Sequence, residues 1–243
     1  MAETVRVDPG TLRLEQLGEL RGRDGGAPWT LERARGGAQQ LHDAAPDPGR
    51  RAVRVHEVDR PALVLGSTQP DDIVDPVVVA SSGLELARRR SGGGAVLLTP
   101  GDQVWIDVTV PAGDPLWDDD VERATWWIGR WWSSTLEQPV TLHERGVSDR
   151  LLGRLACFAA VGPGELSAGE RKVLGVSQRR TREGARFQCV SYLRWDPEPL
   201  RAVLRAGEHA DALSAALTDH AGAWPEPVHD VWSVVEDLTA HLP

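Results

Sequence analysis

Arg88-Arg89-Arg90-Ser91-Gly92-Gly93-Gly94-Ala95-Val96 is the stretch on which the fold turns. Three consecutive glycines let the backbone take positive φ and approach a ligand with no Cβ in the way. Their N–H groups can converge on an anion, and the arginines before them add charge. The spacing is neither the GxxxxGK[ST] of a P-loop nor a GxGxxG run opening a helix. A plain flexible hairpin is the other reading of the same glycines. Outward on both sides the pattern is β: 53–58 alternates with period two, 62–66 is a continuous apolar run, and 95–98 with 104–110 reads as a strand pair turned at Pro100-Gly101-Asp102.

Further along, one lysine stands against 26 arginines in the 243 residues. It is Lys172, in Arg171-Lys172-Val173-Leu174-Gly175-Val176-Ser177-Gln178. Guanidinium is a broad planar fork, whereas ammonium is a compact charge that seats against a single oxygen. Lys172 therefore marks either a position where only the compact head serves or a chance survivor on a surface strand. A glycine loop that gathers an anion, with one lysine on a later strand, suits a phosphorylated or adenylated intermediate whose charge the ammonium stabilises.

The composition bounds the alternatives. Hydrophobic residues make up 41% of the chain, enough for a buried core. The net charge of -9 argues against a general nucleic-acid or membrane-surface binder. No apolar run is long enough to span a bilayer, and the N-terminus carries no charged-then-apolar signal pattern. Cys157 and Cys189 are too far apart for CxxC or zinc spacing, and the histidines are scattered. The expectation is a reduced, cytoplasmic protein with no metal site.

Three segments are expected: an irregular 1–50 with one helix over 30–42, packing on the domain; a core over 51–196; and a helical extension over 197–243. Within the core, 70–81 reads as a short helix, or a turn and then a strand. Aspartates crowd the first turn of a helix over 121–136. Trp126, Trp127, Trp131 and Trp132 sit on one face of it, as core packing or as a stacking surface. Three further strands are expected over 155–161, 171–178 and 186–195, and helices over 198–206, 208–220 and 228–241. Strands in the middle with helices around them make the class α+β, a mixed sheet flanked by helices.

The motifs resemble a known family. Arg89-Arg90-Ser91-Gly92-Gly93-Gly94-Ala95-Val96 closely resembles the RRxSGGGAV loop of lipoate–protein ligases and their octanoyltransferase relatives. Lys172-Val173-Leu174-Gly175-Val176-Ser177-Gln178-Arg179-Arg180 is similar to that family's KIxGxAQRR strand, and Leu65-Gly66-Ser67-Thr68-Gln69 to its early IGrxQ segment. The resemblance implies the mixed sheet shared by biotin ligases and class II aminoacyl-tRNA synthetases. It implies an enzyme that uses ATP, with Mg2+, to activate lipoate or octanoate as an acyl-adenylate. The acyl group would then pass to a lysine of a lipoyl carrier domain, on a 2-oxoacid dehydrogenase acyltransferase subunit or a glycine-cleavage carrier protein. Lys172 would be the catalytic lysine. Arg90, Ser91, Gly92, Gly93, Gly94 and Ala95 would lie against the adenylate, with Gly175 and Gln188 on the facing strands. Gly66 and Gln69 would help line the cavity, and the tryptophan helix is a second candidate for its wall.

The chain also departs from the ligase pattern. Leu97-Leu98-Thr99-Pro100-Gly101-Asp102 stands where many ligases continue with an aromatic residue and His-Asp. Gln188 and Cys189 replace the family's histidine and glycine in a motif like HGTLLxxxD. Leu155-Ala156-Cys157-Phe158 resembles the PxCF segment of one octanoyltransferase branch, in which the cysteine takes the acyl group from acyl carrier protein as a thioester without ATP. A buried, inert cysteine is the plain reading of the same residue. Three functions follow in order: an acyl-adenylate ligase, a transferase through Cys157, and a non-catalytic binder of an acyl or adenylate ligand. Arg179, Arg180, Arg182 and Arg186 would offer an acidic carrier a positive face, or form an ordinary solvated hairpin.

Overall fold

The computed structural model describes residues 11–228 and 230–243. The first ten residues of the 1–50 segment, and His229 within the helix expected over 228–241, lie outside the described residues. Along the chain run β1 (Arg13–Leu20), β2 (Trp29–Gly36), α1 (Ala38–Asp43), β3 (Ala52–Val58), β4 (Ala62–Leu65), α2 (Pro76–Ser81), β5 (Glu85–Arg88), β6 (Val96–Leu98) and β7 (Gln103–Pro111). Then come α3 (Trp126–Ser133), β8 (Thr141–Leu142), α4 (Arg150–Leu155), β9 (Leu166–Ala168), β10 (Arg171–Arg180), β11 (Gly184–Tyr192), α5 (Glu198–Val203), α6 (Ala210–Asp219) and α7 (Val231–Ala240). Eight strands form one sheet in the order β1-β2-β3-β7-β11-β10-β9-β8, and three form a smaller one, β5-β4-β6. The pairs β2–β3 and β4–β5 are parallel, so both sheets are mixed. With the helices around them, this is the α+β architecture expected.

Strand alternation gives the large sheet two unlike faces. One is hydrocarbon: Val53 and Val55 on β3, Val104, Ile106, Val108 and Val110 on β7, and Ala185, Phe187 and Cys189 on β11. Ile128, Trp131 and Trp132 of α3 and Val234, Val235 and Leu238 of α7 pack on it. Trp131 and Trp132 of α3 are therefore core and Trp127 packs partly buried against them, whereas Trp126 is half-buried beneath Arg130. A fully buried tryptophan removes enough apolar surface to contribute on the order of 4 kcal/mol.

The residues between them face the other way, and apart from Trp105 on β7 they are polar yet buried: Arg54 and His56 on β3, Asp107 and Thr109 on β7, Arg186 and Gln188 on β11. Buried charges need partners, and these have them. Arg54 pairs with Glu32 at 2.6 Å. Asp107 accepts from Arg186 and lies 2.8 Å from His56 Nε2. Burial pushes the His56 imidazole down, and it pushes His42 of α1 down to about 3. Burial opposes ionisation of Asp107, but Arg186 and His56 outweigh it and hold the carboxyl below the usual range. The small sheet and α1 close over this face through Leu41, Val64, Val96 and Leu98, which pack with Trp105.

Several expectations are corrected. The helix expected over 30–42 is strand β2 followed by the short α1. Thr30, Glu32 and Ala34 alternate inward along β2, but a charge at an inward position hides that period until its buried partner is known. The segment 1–50 therefore contributes sheet strands rather than irregular chain. Segment 70–81 is helical at Pro76–Ser81, where Asp75 caps α2 by accepting from Val77 and Val78. The runs 95–98 and 104–110 are strands of different sheets, not a hairpin pair. The segment 155–161 is no strand: α4 ends there and a 3-10 turn, Cys157–Ala159, follows. A short apolar run cannot tell strand from turn by periodicity. The strands expected over 171–178 and 186–195 are β10 and β11, and the C-terminal helices stand within the spans expected.

The C-terminal segment is part of this fold. After α6, the Lys172 N–H donates to His220 O at 2.7 Å, and Gly222 N donates to Lys172 O at 2.9 Å. The backbone of residues 220–222 thus braces the start of β10.

Gly129 of α3 tests how closely α3 is seated. A Cβ there would stand 2.4 Å from Leu142 Cδ1 and 2.5 Å from Gly164 O. On a free helix, Gly→Ala stabilises by about 1 kcal/mol. Here Gly129→Ala is expected to destabilise by about 1–3 kcal/mol in denaturant unfolding, as overpacking does. Unchanged or increased stability would show that α3 is not locked against this loop.

Candidate active site

The site is assembled on the polar face of the large sheet, where the glycine loop, the 3-10 turn at Cys157 and β10 meet. The loop is held from behind. Arg89, 5% exposed, donates through Nη2 to the carbonyls of Gly92 and Gly94, both at 2.8 Å. Ala95 N donates to Leu155 O and Cys157 N to Ala95 O, each at 3.0 Å, so the loop is stitched to the cysteine turn. A Cβ on Gly94 would lie 2.6 Å from the Ala156 backbone, and one on Gly66 would lie 2.0 Å from Gly93 O. Gly93 has φ +96°, a region that favours glycine. The carbonyls of Gly92 and Gly94 are engaged by Arg89, and the N–H groups of Gly92, Gly93 and Gly94 have no hydrogen-bond partner among the described residues.

Lys172 reaches the same place from β10. The pairing of β10 with β9 shifts register between Lys172 and Leu174. Such a bulge lets residues an odd number apart share a face, so Lys172 and Gly175 both meet the cysteine turn. The Lys172 side chain is 1% exposed. Its Nζ donates to Cys157 O at 2.7 Å and to Ala160 O at 2.9 Å, and it lies 2.6 Å from Glu165 Oε2. Cys157 Sγ is 3.7 Å away, and the Phe158 ring centre is 5.0 Å away. Burial alone would pull this ammonium down, but the facing Cys157 sulfur and the Glu165 carboxylate outweigh it and hold the group above the ordinary lysine range. Glu165 is anchored in turn by Gly162 N at 2.6 Å and Val176 N at 2.9 Å.

Two hollows meet at the cysteine. The wider is an open cleft of about 530 Å³ lined by Gly92, Gly93, Gly94, Cys157, Lys172 and Ser177. The narrower is a tight recess of about 30 Å³ among Val64, Val96, Leu98, Trp105, Phe158 and Val190. Arg89, Cys157 and Ser177 line both. The wide cleft, with a buried charge and open backbone N–H groups at its base, has the volume to take a small ligand. Gly175 closes the recess without crowding it, since a Cβ there would meet Phe158 at 3.1 Å and Cys157 Sγ at 3.5 Å.

The residues singled out from sequence are placed unequally. Lys172, Cys157, Gly92, Gly93 and Gly94 line the cleft, and Gly175 and Gln188 line the recess. Ser91 is buried and donates to Gln188 Oε1 at 2.9 Å, while Ala95 fixes the loop to the cysteine turn. Arg90 is not in the site: it is exposed and lies 3.6 Å from Asp43. Neighbouring strand residues point to opposite faces, so Arg89 is the one that turns inward. Gly66 and Gln69 support rather than line: Gly66 N donates to Gln69 Oε1 at 2.9 Å, and Gln69 Nε2 donates to Arg154 O at 2.8 Å. Arg89 and Ser177 stand within the loop and lysine-strand motifs, whereas Glu165 and His42 carry no signal in the sequence. Arg186 is buried against Asp107 and leaves the expected positive face. Arg180 lies over the Trp117 ring at 3.9 Å and donates to Asp118 O at 2.5 Å. Arg179 and Arg182 remain exposed.

Among curated proteins none matches the chain in sequence. Solved structures match in fold. A chain from the archaeal lipoylation system of Thermoplasma acidophilum, a bi-partite lipoate protein ligase with its E2 lipoyl domain, superposes with TM-score 0.67 at 15% identity. The match covers 91% of this chain and 82% of that one. A T. acidophilum protein with bound lipoic acid gives TM-score 0.64 at 17% identity, covering 91% and 84%. A lipoate-protein ligase A bound with ATP gives 0.59 at 17% identity, covering 91% and 95%. Residues 38–226 match the family model of the lipoyl protein ligase A/B catalytic domain, and the chain belongs to that family.

Proposed function

We propose that this member of the family is an acyltransferase that carries a medium-chain acyl group, octanoyl or lipoyl, on Cys157 as a thioester. The acyl group would then pass to a lysine of a lipoyl carrier domain. The observation that carries this reading is the engagement of Lys172. An ammonium has three donors, and Cys157 O, Ala160 O, Glu165 and the Cys157 sulfur already share them. None is left for a carboxylate or phosphate oxygen unless a partner is displaced. What the ammonium does offer is positive charge 3.7 Å from the cysteine sulfur, and a thiolate beside a cation is the reactive form of cysteine.

In the proposed sequence the thiolate attacks the carbonyl carbon of an acyl thioester, such as that on acyl carrier protein. The carbonyl oxygen gains charge, and the free N–H groups of Gly92, Gly93 and Gly94 are the donors nearest the cleft to receive it. The carbonyl's bond to the donor sulfur breaks, the proton given up by Cys157 leaves on the donor thiol, and the acyl chain lies in the wide cleft. A carrier lysine then attacks the Cys157 thioester, an amide forms and the thiol is restored. Arg179 and Arg182 are the exposed cations on the β10–β11 hairpin that an acidic carrier would meet. The T. acidophilum system, which pairs a ligase with an E2 lipoyl domain, supports a carrier of that kind.

A second reading keeps the ligase chemistry. The structural neighbour bound with ATP and the width of the cleft favour it. Lys172 would release a partner on binding, and ATP would supply the adenylate. Mg2+ would enter on the nucleotide's phosphates: among the described residues no group of three or more His, Cys, Asp or Glu side chains is gathered to hold a metal.

Three measurements check these readings. Incubation with an octanoyl thioester is expected to add one acyl group to Cys157 by intact mass. Cys157→Ala should abolish the adduct, and Lys172→Gln should slow it by about 100-fold or more, as loss of a preorganised charge does. Full transfer by Cys157→Ser would remove the thioester. ATP–pyrophosphate exchange stimulated by octanoate or lipoate is expected to be absent; robust exchange would establish the second reading instead. Reversing Arg179 and Arg182 to Glu is expected to slow transfer to a lipoyl domain by about tenfold and leave acylation of Cys157 unchanged, since rim charges steer association. Equal slowing of both steps would remove the docking role.

A further inference from the structure

Glu165 is a buried carboxylate at the reacting end of the cleft to which the proposed transfer gives no task. Its own turn fixes its place. Glu165 N donates to Gly162 O at 3.2 Å, and Gly162 N donates back to Oε2 at 2.6 Å, which closes the turn. Val176 N holds Oε1 at 2.9 Å. Gly164, inside the turn, has φ +80°, and a Cβ there would stand 2.5 Å from Thr125 O. With both oxygens held, the carboxylate stays beside Lys172, whose Nζ lies 2.6 Å from Oε2 and 3.7 Å from Cys157 Sγ.

The charges around Nζ change during transfer. Burial pulls the ammonium down, and the Cys157 sulfur and the Glu165 carboxylate offset that pull. A thioester on Cys157 is neutral, so the first offset is lost in the acylated protein. The ammonium, 1% exposed, then has Glu165 as its counter-charge, because the Cys157 and Ala160 carbonyls carry no net charge. A buried lysine without a counter-charge gives up its proton. The amine so formed is a nucleophile, and the thioester is within its reach, since the carbonyl carbon is bonded to the sulfur that stands 3.7 Å from Nζ. Nζ would bond to that carbon, the carbon–sulfur bond would break, and one amine proton would end on the Cys157 sulfur. The resulting amide on Lys172 could not pass the acyl group on.

We infer that Glu165 is a positioning residue that keeps Lys172 an ammonium while Cys157 is acylated, and so stops the acyl group from migrating from the sulfur to the lysine nitrogen. This rests on the transferase reading above. It divides the two amines of the reaction: Lys172 serves as a charge only, and the carrier's lysine is the one that attacks.

The test loads the unsubstituted protein and Glu165→Gln with an octanoyl thioester of a small thiol, then adds hydroxylamine, which cleaves thioesters and spares amides. Lys172 is the only lysine in the chain, so the migrated amide has one side-chain address, read by peptide mass mapping. The unsubstituted protein is expected to lose its adduct. Glu165→Gln is expected to keep at least about tenfold more octanoyl on Lys172. A structural role alone would lower loading and leave what is loaded on sulfur, so the readout is the resistant fraction of the adduct. If Glu165→Gln does not load, the unsubstituted protein decides: migration to Lys172 is expected to quicken about tenfold per pH unit, following the neutral fraction of the amine. A resistant fraction no larger in Glu165→Gln than in the unsubstituted protein, or in the second arm no amide by about pH 10 or a rate indifferent to pH, overturns the inference and leaves the transferase standing. If no thioester labels Cys157 in the unsubstituted protein, the transferase reading fails and the inference falls with it.

Discussion

A primary ammonium sealed inside the fold is the constraint around which this site is built. Left uncompensated, such a charge would cost far more than the protein's whole margin of stability. Lys172 is compensated in full, by two carbonyls of one turn and one carboxylate. Those partners come from two separate stretches of chain, the turn after α4 and the loop before β9, and the lysine from a third, β10. The lysine thus fixes where the cysteine turn stands relative to the sheet. Arginine could not take its place, because a planar fork with five donors needs more volume and more acceptors than this enclosure offers.

The large sheet makes that enclosure possible by treating its faces differently. The hydrocarbon face, with α3 and α7 against it, supplies the burial that holds the domain together. The other face is freed to carry Arg54, His56, Asp107, Arg186 and Gln188. Each of these charges is paired or hydrogen-bonded, which keeps the layer rigid. The small sheet and α1 roof it, and the apolar recess is the space left between roof and floor. Gly66, Gly94 and Gly175 have a spatial role here, since each stands where a Cβ would press on the loop, the turn or the cysteine.

The glycine loop and the recess meet at Cys157, which lines both the wide cleft and the narrow hollow. The hydrogen-bonded run Ser177–Ser91–Gln188–His42 extends along their boundary, so the glycine loop, the lysine strand and α1 belong to one connected polar unit.

Much of this was legible in the residues alone. The alternation at 53–58, the apolar run at 62–65 and the glycine triplet with the single lysine identify a mixed sheet with an anion loop, because period and glycine content act locally. Partner-dependent features were not legible. The inward charge on β2 conceals its strand period until Arg54 is seen behind Glu32. Arg89 and Arg90 are indistinguishable as a pair, and only the register of β5 in its sheet turns the first inward. The apolar run around Cys157 becomes a turn because Ala95 offers its backbone from elsewhere in the chain. Glu165 and His42 matter through what they face, 7 and 130 residues away from Lys172 in sequence. The sequence by itself thus determined which chemistry is present and which elements carry it. Tertiary structure alone decided which side chains are enclosed together, because burial and hydrogen-bond pairing depend on distant segments that no local pattern records.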